Sequence, residues 1–286
     1  GVANGGSTLS ISQFQTLGIT VIDTNAEALL LNAVVDVGSS ASIDTYSELA
    51  NLASIVNRLS IIAAGGTASP ALTAQDLEAL GITGVTSANL SAVIAAIAAT
   101  ADDGSGINSM AKLQTVTDTG VANARTASQG IIAAYTGSNT APTLADYQNA
   151  GVSGVTSSNI AAINSVIAQL STTASDSQAE VQAVVDAYVL VVAAANGLAD
   201  GGASLGAADY AALGLGVINT ADEVSLMNDV LDAKSGPGVD TYTELAAIAT
   251  AVSGVIAEAN GSNASPSLTV ADFALLGITG VTENNL

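Results

Sequence analysis

The chain contains no cysteine, no histidine and no tryptophan, and only 2 phenylalanine and 6 tyrosine residues among 286. Without cysteine and histidine it lacks disulfides, the usual zinc and haem ligands, and the imidazole that serves as base in Ser–His and Cys–His pairs. It also has few aromatic rings to form the sugar platforms that accompany paired carboxylates in glycosidases. We therefore expect a protein that is not an enzyme and has no catalytic residue.

Basic residues are almost as scarce, since 4 Lys and Arg stand against 25 Asp and Glu, for a net charge of −21. Phosphate backbones and anionic lipids would repel such a chain, which excludes nucleic-acid and membrane-surface binding. The longest uninterrupted apolar run, Ala187 to Ala195, has nine residues. A membrane span needs about 18. We therefore expect no membrane insertion, in spite of a mean hydropathy of +0.51.

A short phrase that ends in glycine and an aliphatic residue recurs five times along the chain. Its anchor glycines are Gly18, Gly81, Gly151, Gly214 and Gly277, separated by 63, 70, 63 and 63 residues. A regular period of this size indicates a modular array. The predicted repeat units are 1–66, 67–139 (with a longer third helix), 140–202, 203–263 and a partial unit, 264–286.

The sequence also has a second, longer period of 196 residues, which spans three repeat units. Residues 68–90 and 264–286 are identical at 15 of 23 positions, which indicates duplication of a block of three repeat units. The sequence begins without Met and ends inside the repeated phrase. We therefore expect it to be a piece of a longer or processed chain.

Each repeat unit is predicted to contain three helices. The first opens with a Ser/Thr-x-x-Asp/Gln capping box and ends at the anchor glycine, where a left-handed residue is needed. The second is predicted to begin at Thr86, Thr156 and Thr282, or at Thr24 and Thr220 in variant units. The third opens at Thr45, Ser177 or Thr241, each followed by Glu three residues later, or at Ser109 with Lys112.

These patterns predict an all-α fold, a tandem array of small three-helix units of about 63–70 residues. A unit of this size is only marginally stable on its own core, so we expect the units to stack as a solenoid-like chain or filament. The third helices carry apolar stripes, such as Val181, Val184, Val185, Tyr188 and Val192. The polar stretch 115–129, with Gly120, predicts that the third helix of unit two is the least regular.

The segment around Asp102, Asp103 and Asn108 is the weak candidate for a calcium site. It does not fit an EF-hand, because the position that needs a bidentate Glu is Leu113. Turn formation and helix capping explain the same residues. No other cofactor is expected, and calcium binding stays one of two alternatives.

The partial unit at 264–286 supplies a first helix without a third. Its apolar residues therefore lack a partner within their own unit, and we expect them to contact a neighbouring repeat unit or an identical subunit head to tail. These candidate assembly contacts are Leu268, Phe273, Leu276 and Val281.

Two sequence patterns of this chain resemble those of a known class of repeats. They are Leu-Thr-x-x-Asp-φ-x-x-Leu-Gly-Ile-Thr-Gly-Val-Thr-x-x-Asn-Leu at 72–90, where φ is an apolar residue, and the helix start Asp-Thr-x-x-Glu-Leu at 44–49. They resemble the tandem helical repeats of very large secreted bacterial surface proteins of the adhesin and biofilm-matrix kind. The resemblance implies an extracellular, cell-surface location and a non-catalytic role as an extender or self-assembling filament block. The alternative is a binding module, for a host protein or an ice surface, built on three-helix units.

Overall fold

The computed structural model describes residues 8–38, 43–201 and 205–286. These residues form α-helices joined by turns, without any β-strand among them, so the prediction of an all-α fold is confirmed. The chain divides into a first compact region, residues 1–126, and a second compact region, residues 127–286. Each is described by itself below.

Six α-helices begin among the described residues of the first compact region. They are α1 (Ile11–Thr16), α2 (Asn25–Val37), α3 (Tyr46–Ala63), α4 (Ala74–Ala79), α5 (Leu90–Ala98) and α6 (Met110–Ala133), the last of which passes the division at residue 126. Helix α3 packs against α2, α4 and α5. The core between these helices buries large side chains such as Phe14, Leu31, Leu59, Leu77 and Ile97.

Seven α-helices follow among the described residues of the second compact region. They are α7 (Leu144–Ala150), α8 (Ile160–Ile167), α9 (Gln178–Ala194), α10 (Ala207–Ala212), α11 (Ala221–Asp232), α12 (Tyr242–Ala259) and α13 (Val270–Leu275). Helix α9 packs against α8, α10 and α11, and α12 packs against α8, α11 and α13. Tyr147, Ile163, Val185, Tyr210 and Leu245 are among the residues buried in its core.

The helices begin at the predicted capping residues. Nine of the described helices begin with a complete capping box. In such a box a Ser or Thr oxygen accepts the N3 amide hydrogen, and the N3 side chain accepts the amide hydrogen of the cap residue. In α4, for example, Thr73 Oγ1 lies 3.1 Å from Asp76 N and Asp76 Oδ2 lies 2.8 Å from Thr73 N. The predicted boxes of the first and third helices that rest on Ser or Thr with Asp, Glu or Gln are confirmed.

The anchor glycines end the first helices as predicted. All five have φ between 75° and 86°, in the left-handed region that glycine adopts without strain. At Gly81, the Ile82 amide donates to Leu77 O at 3.0 Å and the Gly81 amide donates to Glu78 O at 2.8 Å. The same pair of bonds, a Schellman motif, recurs at the other four glycines.

Three of the predicted second-helix starts are wrong. The cap of α5 is Asn89 instead of Thr86, the cap of α8 is Asn159 instead of Thr156, and Thr282 is followed by a turn and not by a helix. The Asn89 side chain accepts the Thr86 amide hydrogen at 2.8 Å and donates to Gly84 O at 3.0 Å. These two bonds hold a separate turn before the helix, and Asn159 holds the same turn after Thr156. The starts at Thr24 and Thr220 are confirmed.

Helix α6 is unbroken over 24 residues, so the expected irregularity is absent. Its Gly120 lies against the backbone of α5, where an added Cβ would stand 2.5 Å from Val93 Cα and 3.0 Å from Ala92 O. Gly120 therefore allows α5 and α6 to approach closely, and it does not break the helix.

The apolar stripe of α9 is buried as predicted at Val181, Val184, Val185 and Tyr188. Val192 is the exception: it is exposed, and its neighbour Val191 is buried instead. At the end of the helix the buried face is therefore displaced to the side that carries Ala187, Val191 and Ala194.

Candidate functional site

The first residue of each third helix lies beside the anchor glycine of the same predicted repeat unit. The pairs are Tyr46 with Gly18, Met110 with Gly81, Gln178 with Gly151, and Tyr242 with Gly214. In three pairs the side chain donates to the glycine carbonyl oxygen, at 3.2 Å from Tyr46, 2.7 Å from Gln178 and 3.4 Å from Tyr242. The anchor glycines thus serve as structural contact points as well as helix ends.

A buried ion pair joins α3 to the start of α4. Arg58, only 6% exposed, donates from Nη1 to Asp76 Oδ2 at 2.9 Å and from Nη2 to Asp76 Oδ1 at 2.8 Å. Nη1 also donates to Ala71 O at 3.1 Å. The hydrogen bond from Arg58 lowers the pKa of Asp76, as do those from Thr73, while burial opposes this shift. Asp76 therefore both caps α4 and neutralises a buried guanidinium.

Sequence reasoning did not single out Arg58. The available signal was a basic residue within the apolar stripe of α3, 18 positions before a capping Asp. In the next repeat unit Ser128 stands 18 positions before Asp146, and its hydroxyl donates to Asp146 Oδ1 at 3.3 Å. Gly254 holds the corresponding position before Asp272. The third-helix residue that lies 18 positions before the capping Asp of the next unit therefore differs between units. It is an arginine that forms an ion pair, a serine that forms a hydrogen bond, or a glycine.

The calcium candidates lie in the turn before α6. Asp103 Oδ1 accepts the Ser105 amide hydrogen at 2.8 Å, and hydrogen bonds from Ser105 lower the pKa of Asp103. Lys112 Nζ donates to Asn108 Oδ1 at 3.0 Å and to Ser105 O at 2.8 Å. Two oxygens of the candidate site therefore bind an ammonium group. Asp102 lies in the same turn and is exposed.

No cluster of three or more Asp or Glu side chains suited to a metal ion occurs within residues 8–38, 43–201 and 205–286. Calcium binding stays a prediction.

The buried tyrosines are core residues with a partner for each hydroxyl. Tyr147 Oη donates to Asn164 Oδ1 at 2.6 Å, and Tyr210 Oη donates to Asn228 Oδ1 at 2.7 Å. Burial raises the pKa of both phenols, and it raises the pKa of Tyr188 to about 12. A phenol with a raised pKa stays neutral and suits packing better than proton transfer at neutral pH.

The predicted assembly contacts in the partial unit are all partly uncovered, and we name these four residues the α13 face. Leu268, Phe273, Leu276 and Val281 are each half-buried. The residues 196 positions earlier, Leu72, Leu77 and Leu80, are buried, and Val85 is half-buried. Most of this face therefore has less cover than the same face of the complete unit.

A second apolar surface was missed by sequence reasoning. Leu17 is 51% exposed, Val35 37% and Tyr46 59%. We name these three residues the α1–α3 face. Their counterparts 196 positions later, Leu213 and Leu231, are fully buried, and Tyr242 is half-buried. The α1–α3 face is recognised by the difference in exposure between equivalent positions. The sequence alone carries no information on that exposure.

None of the helices formed by the described residues is long and apolar enough to cross a membrane. No family model, curated protein or solved structure matches the chain.

Proposed function

We propose that this chain is a non-catalytic structural segment of an extracellular bacterial surface adhesin or matrix fibre, in which three-helix repeat units stack as a solenoid-like chain. The observation that carries the proposal is the contact between an anchor glycine and the first residue of a helix 27 to 29 positions later, which recurs in four units. Tandem arrays of like units produce such recurring contacts. The resemblance of the repeated phrase to bacterial surface repeats supports the location.

Contacts between successive predicted units also support stacking. The third helix of one unit packs against the first helix of the next in α3 with α4, α9 with α10, and α12 with α13. In the second compact region, one continuous core includes residues from Tyr147 to Val252. A unit with a small Ala- and Val-rich core gains most of its burial from such a neighbour.

The side-chain inventory fits a spacer. A net charge of −21 resists nonspecific association of neighbouring molecules. Many of the carboxylates cap helices: Glu27, Glu48, Asp76, Glu180, Glu223 and Glu244 each have a lowered pKa and accept amide hydrogens from cap residues. These acids therefore act on local structure and need no substrate.

A spacer lengthens in proportion to its repeats, and this tests the proposal. We expect the maximum dimension from small-angle X-ray scattering to rise by a constant increment when one and then two further 196-residue blocks are added to the chain. Growth with roughly the cube root of chain length, as in a compact globule, would contradict the proposal. The comparison should be made at low protein concentration, so that association does not mimic extension.

Electron microscopy and the intact mass of native material distinguish the extender from the self-assembling filament. Polypeptides far longer than 286 residues are expected of an extender, whereas fibres of short chains are expected of a filament that closes on the α13 face. Phe273→Asp should then disperse the fibres, because it places a charge in the contact. Monodisperse short chains that bind a host protein or ice saturably would favour the binding-module alternative.

A further inference from the structure

The residues equivalent to the α1–α3 face in the fourth predicted repeat unit are covered by other parts of the same chain. Leu17 is 51% exposed and Val35 is 37% exposed, but Leu213 and Leu231, their counterparts 196 positions later, are fully buried. Leu17 and Leu213 directly follow α1 and α10, and Val35 and Leu231 lie in α2 and α11. The uncovered surface is therefore one that the chain covers elsewhere.

Helices α8 and α9 supply the cover in the second compact region. Helix α9 packs against α10 and α11, and α8 packs against α12. Ser165, on α8, accepts the Tyr242 amide hydrogen at 2.9 Å. The Leu170 side chain, just after α8, lies against Gly214, and Tyr188 Oη donates to Val239 O at 3.4 Å.

Several other features of the two units agree at positions 196 residues apart. Val21 and its counterpart Val217 are each 42% exposed. Asn32 bonds both backbone groups of Leu9, at 2.8 Å each, as Asn228 bonds those of Leu205, at 3.1 and 2.9 Å. The α1–α3 face and its counterpart therefore share this local scaffold and differ in the cover over Leu17 and Val35.

We propose that the α1–α3 face is a docking surface for a helix pair of the α8–α9 type, carried by a copy of the 196-residue block that precedes it. This inference rests on the proposed function and adds the identity of the partner. The sequence register fits, because Gly1-Val-Ala-Asn-Gly-Gly is similar to Gly197-Leu-Ala-Asp-Gly-Gly, which follows α9. A copy of residues 1–196 placed directly before residue 1 therefore continues the period.

A single cysteine tests the proposal, because the chain has none of its own. Leu17→Cys is introduced into the 286-residue chain and into the downstream copy of a chain extended by residues 1–196. We expect maleimide to label the first thiol readily and the second at least about tenfold more slowly, since a buried thiol reacts only after local opening. Val21→Cys is the matched control and should react equally in both chains, while Leu213→Cys gives the rate of a covered position.

Equal labelling of Leu17→Cys in both chains would overturn the proposal. Protection already present in the 286-residue chain, increasing with its concentration, would also overturn it and would identify a second free copy as the partner. Failure here is distinguishable from failure of the proposed function. Scattering dimensions that still rise by a constant increment would leave the spacer intact, with modules joined by the chain but not packed through this face.

Discussion

Asp76→Asn is expected to lower the free energy of unfolding by about 3–5 kcal/mol. The substitution leaves the Arg58 guanidinium buried at 6% exposure without the carboxylate that binds both of its terminal nitrogens. Arg58 Nε is buried and already has no hydrogen-bond partner among the described residues, so the side chain has little other compensation. Urea denaturation followed by circular dichroism measures the loss.

Asp272→Asn is the matched control. Asp272 caps α13 from the equivalent position, with Oδ2 at 2.8 Å from Thr269 N, but Gly254 stands where the arginine would be. Asparagine keeps an acceptor for the cap, so we expect a loss below about 1 kcal/mol. Equal losses at the two positions would show that capping, and not the ion pair, accounts for the effect of Asp76.

The pH dependence of the same comparison gives an independent signature. The Arg58 hydrogen bond, with those from Thr73, lowers the pKa of Asp76 in the folded state in spite of burial. A lowered folded pKa contributes stability above the unfolded value of about 3.9, and this contribution is lost as the pH falls through the folded value. The difference between wild type and Asp76→Asn should therefore be complete at about pH 6 and should shrink as the pH falls below about 3.9. A difference that stays constant as the pH is lowered until the protein unfolds would contradict the ionic origin.

Gly120→Ala is expected to lower the free energy of unfolding by about 1–3 kcal/mol, even though alanine is the better helix former. The new Cβ would stand 2.5 Å from Val93 Cα and 2.9 Å from Val93 N. These are backbone atoms of α5, so relief of the clash requires the two helices to separate. Differential scanning calorimetry of the full chain measures the effect.

Gly130→Ala, in the same helix, is the control. No heavy atom lies within 4 Å of the position that its Cβ would take, and the residue is exposed. We expect this variant to gain up to about 1 kcal/mol from helix propensity. A gain at both glycines would mean that α5 and α6 do not approach as closely as described.

The features that the sequence predicted well are determined by a few neighbouring residues. A capping box needs only residues i and i+3, and a Schellman glycine needs only the last turn of its helix. Thr45 with Glu48 and the glycine at position 81 could therefore be identified without any knowledge of packing. The all-α class followed from the recurrence of these signals.

The errors arose where a local signal was incomplete or where packing decided the outcome. Thr86 resembles a helix cap, but Asn89 completes a separate turn, and the Thr-x-x-Asn pattern was the signal available for it. The polar stretch with Gly120 predicted an irregular helix, because the contact of Gly120 with Val93 depends on another helix and is not visible in the sequence. Residue type alone did not reveal the exposure of Leu17 or the burial of Arg58, since both depend on which helices cover them.

The capping boxes also bear on how such a gene can change. Because the two residues of a capping box lie within a few positions of one another, a recombination event that inserts or removes a whole 196-residue block leaves each remaining box complete. The join between position 196 and position 1 falls in the turn after the third helix, where the two glycine-rich sequences match. Copy number could therefore vary between related genes without new sequence at the junctions, and unequal crossing-over would alter the reach of the protein in steps of one block.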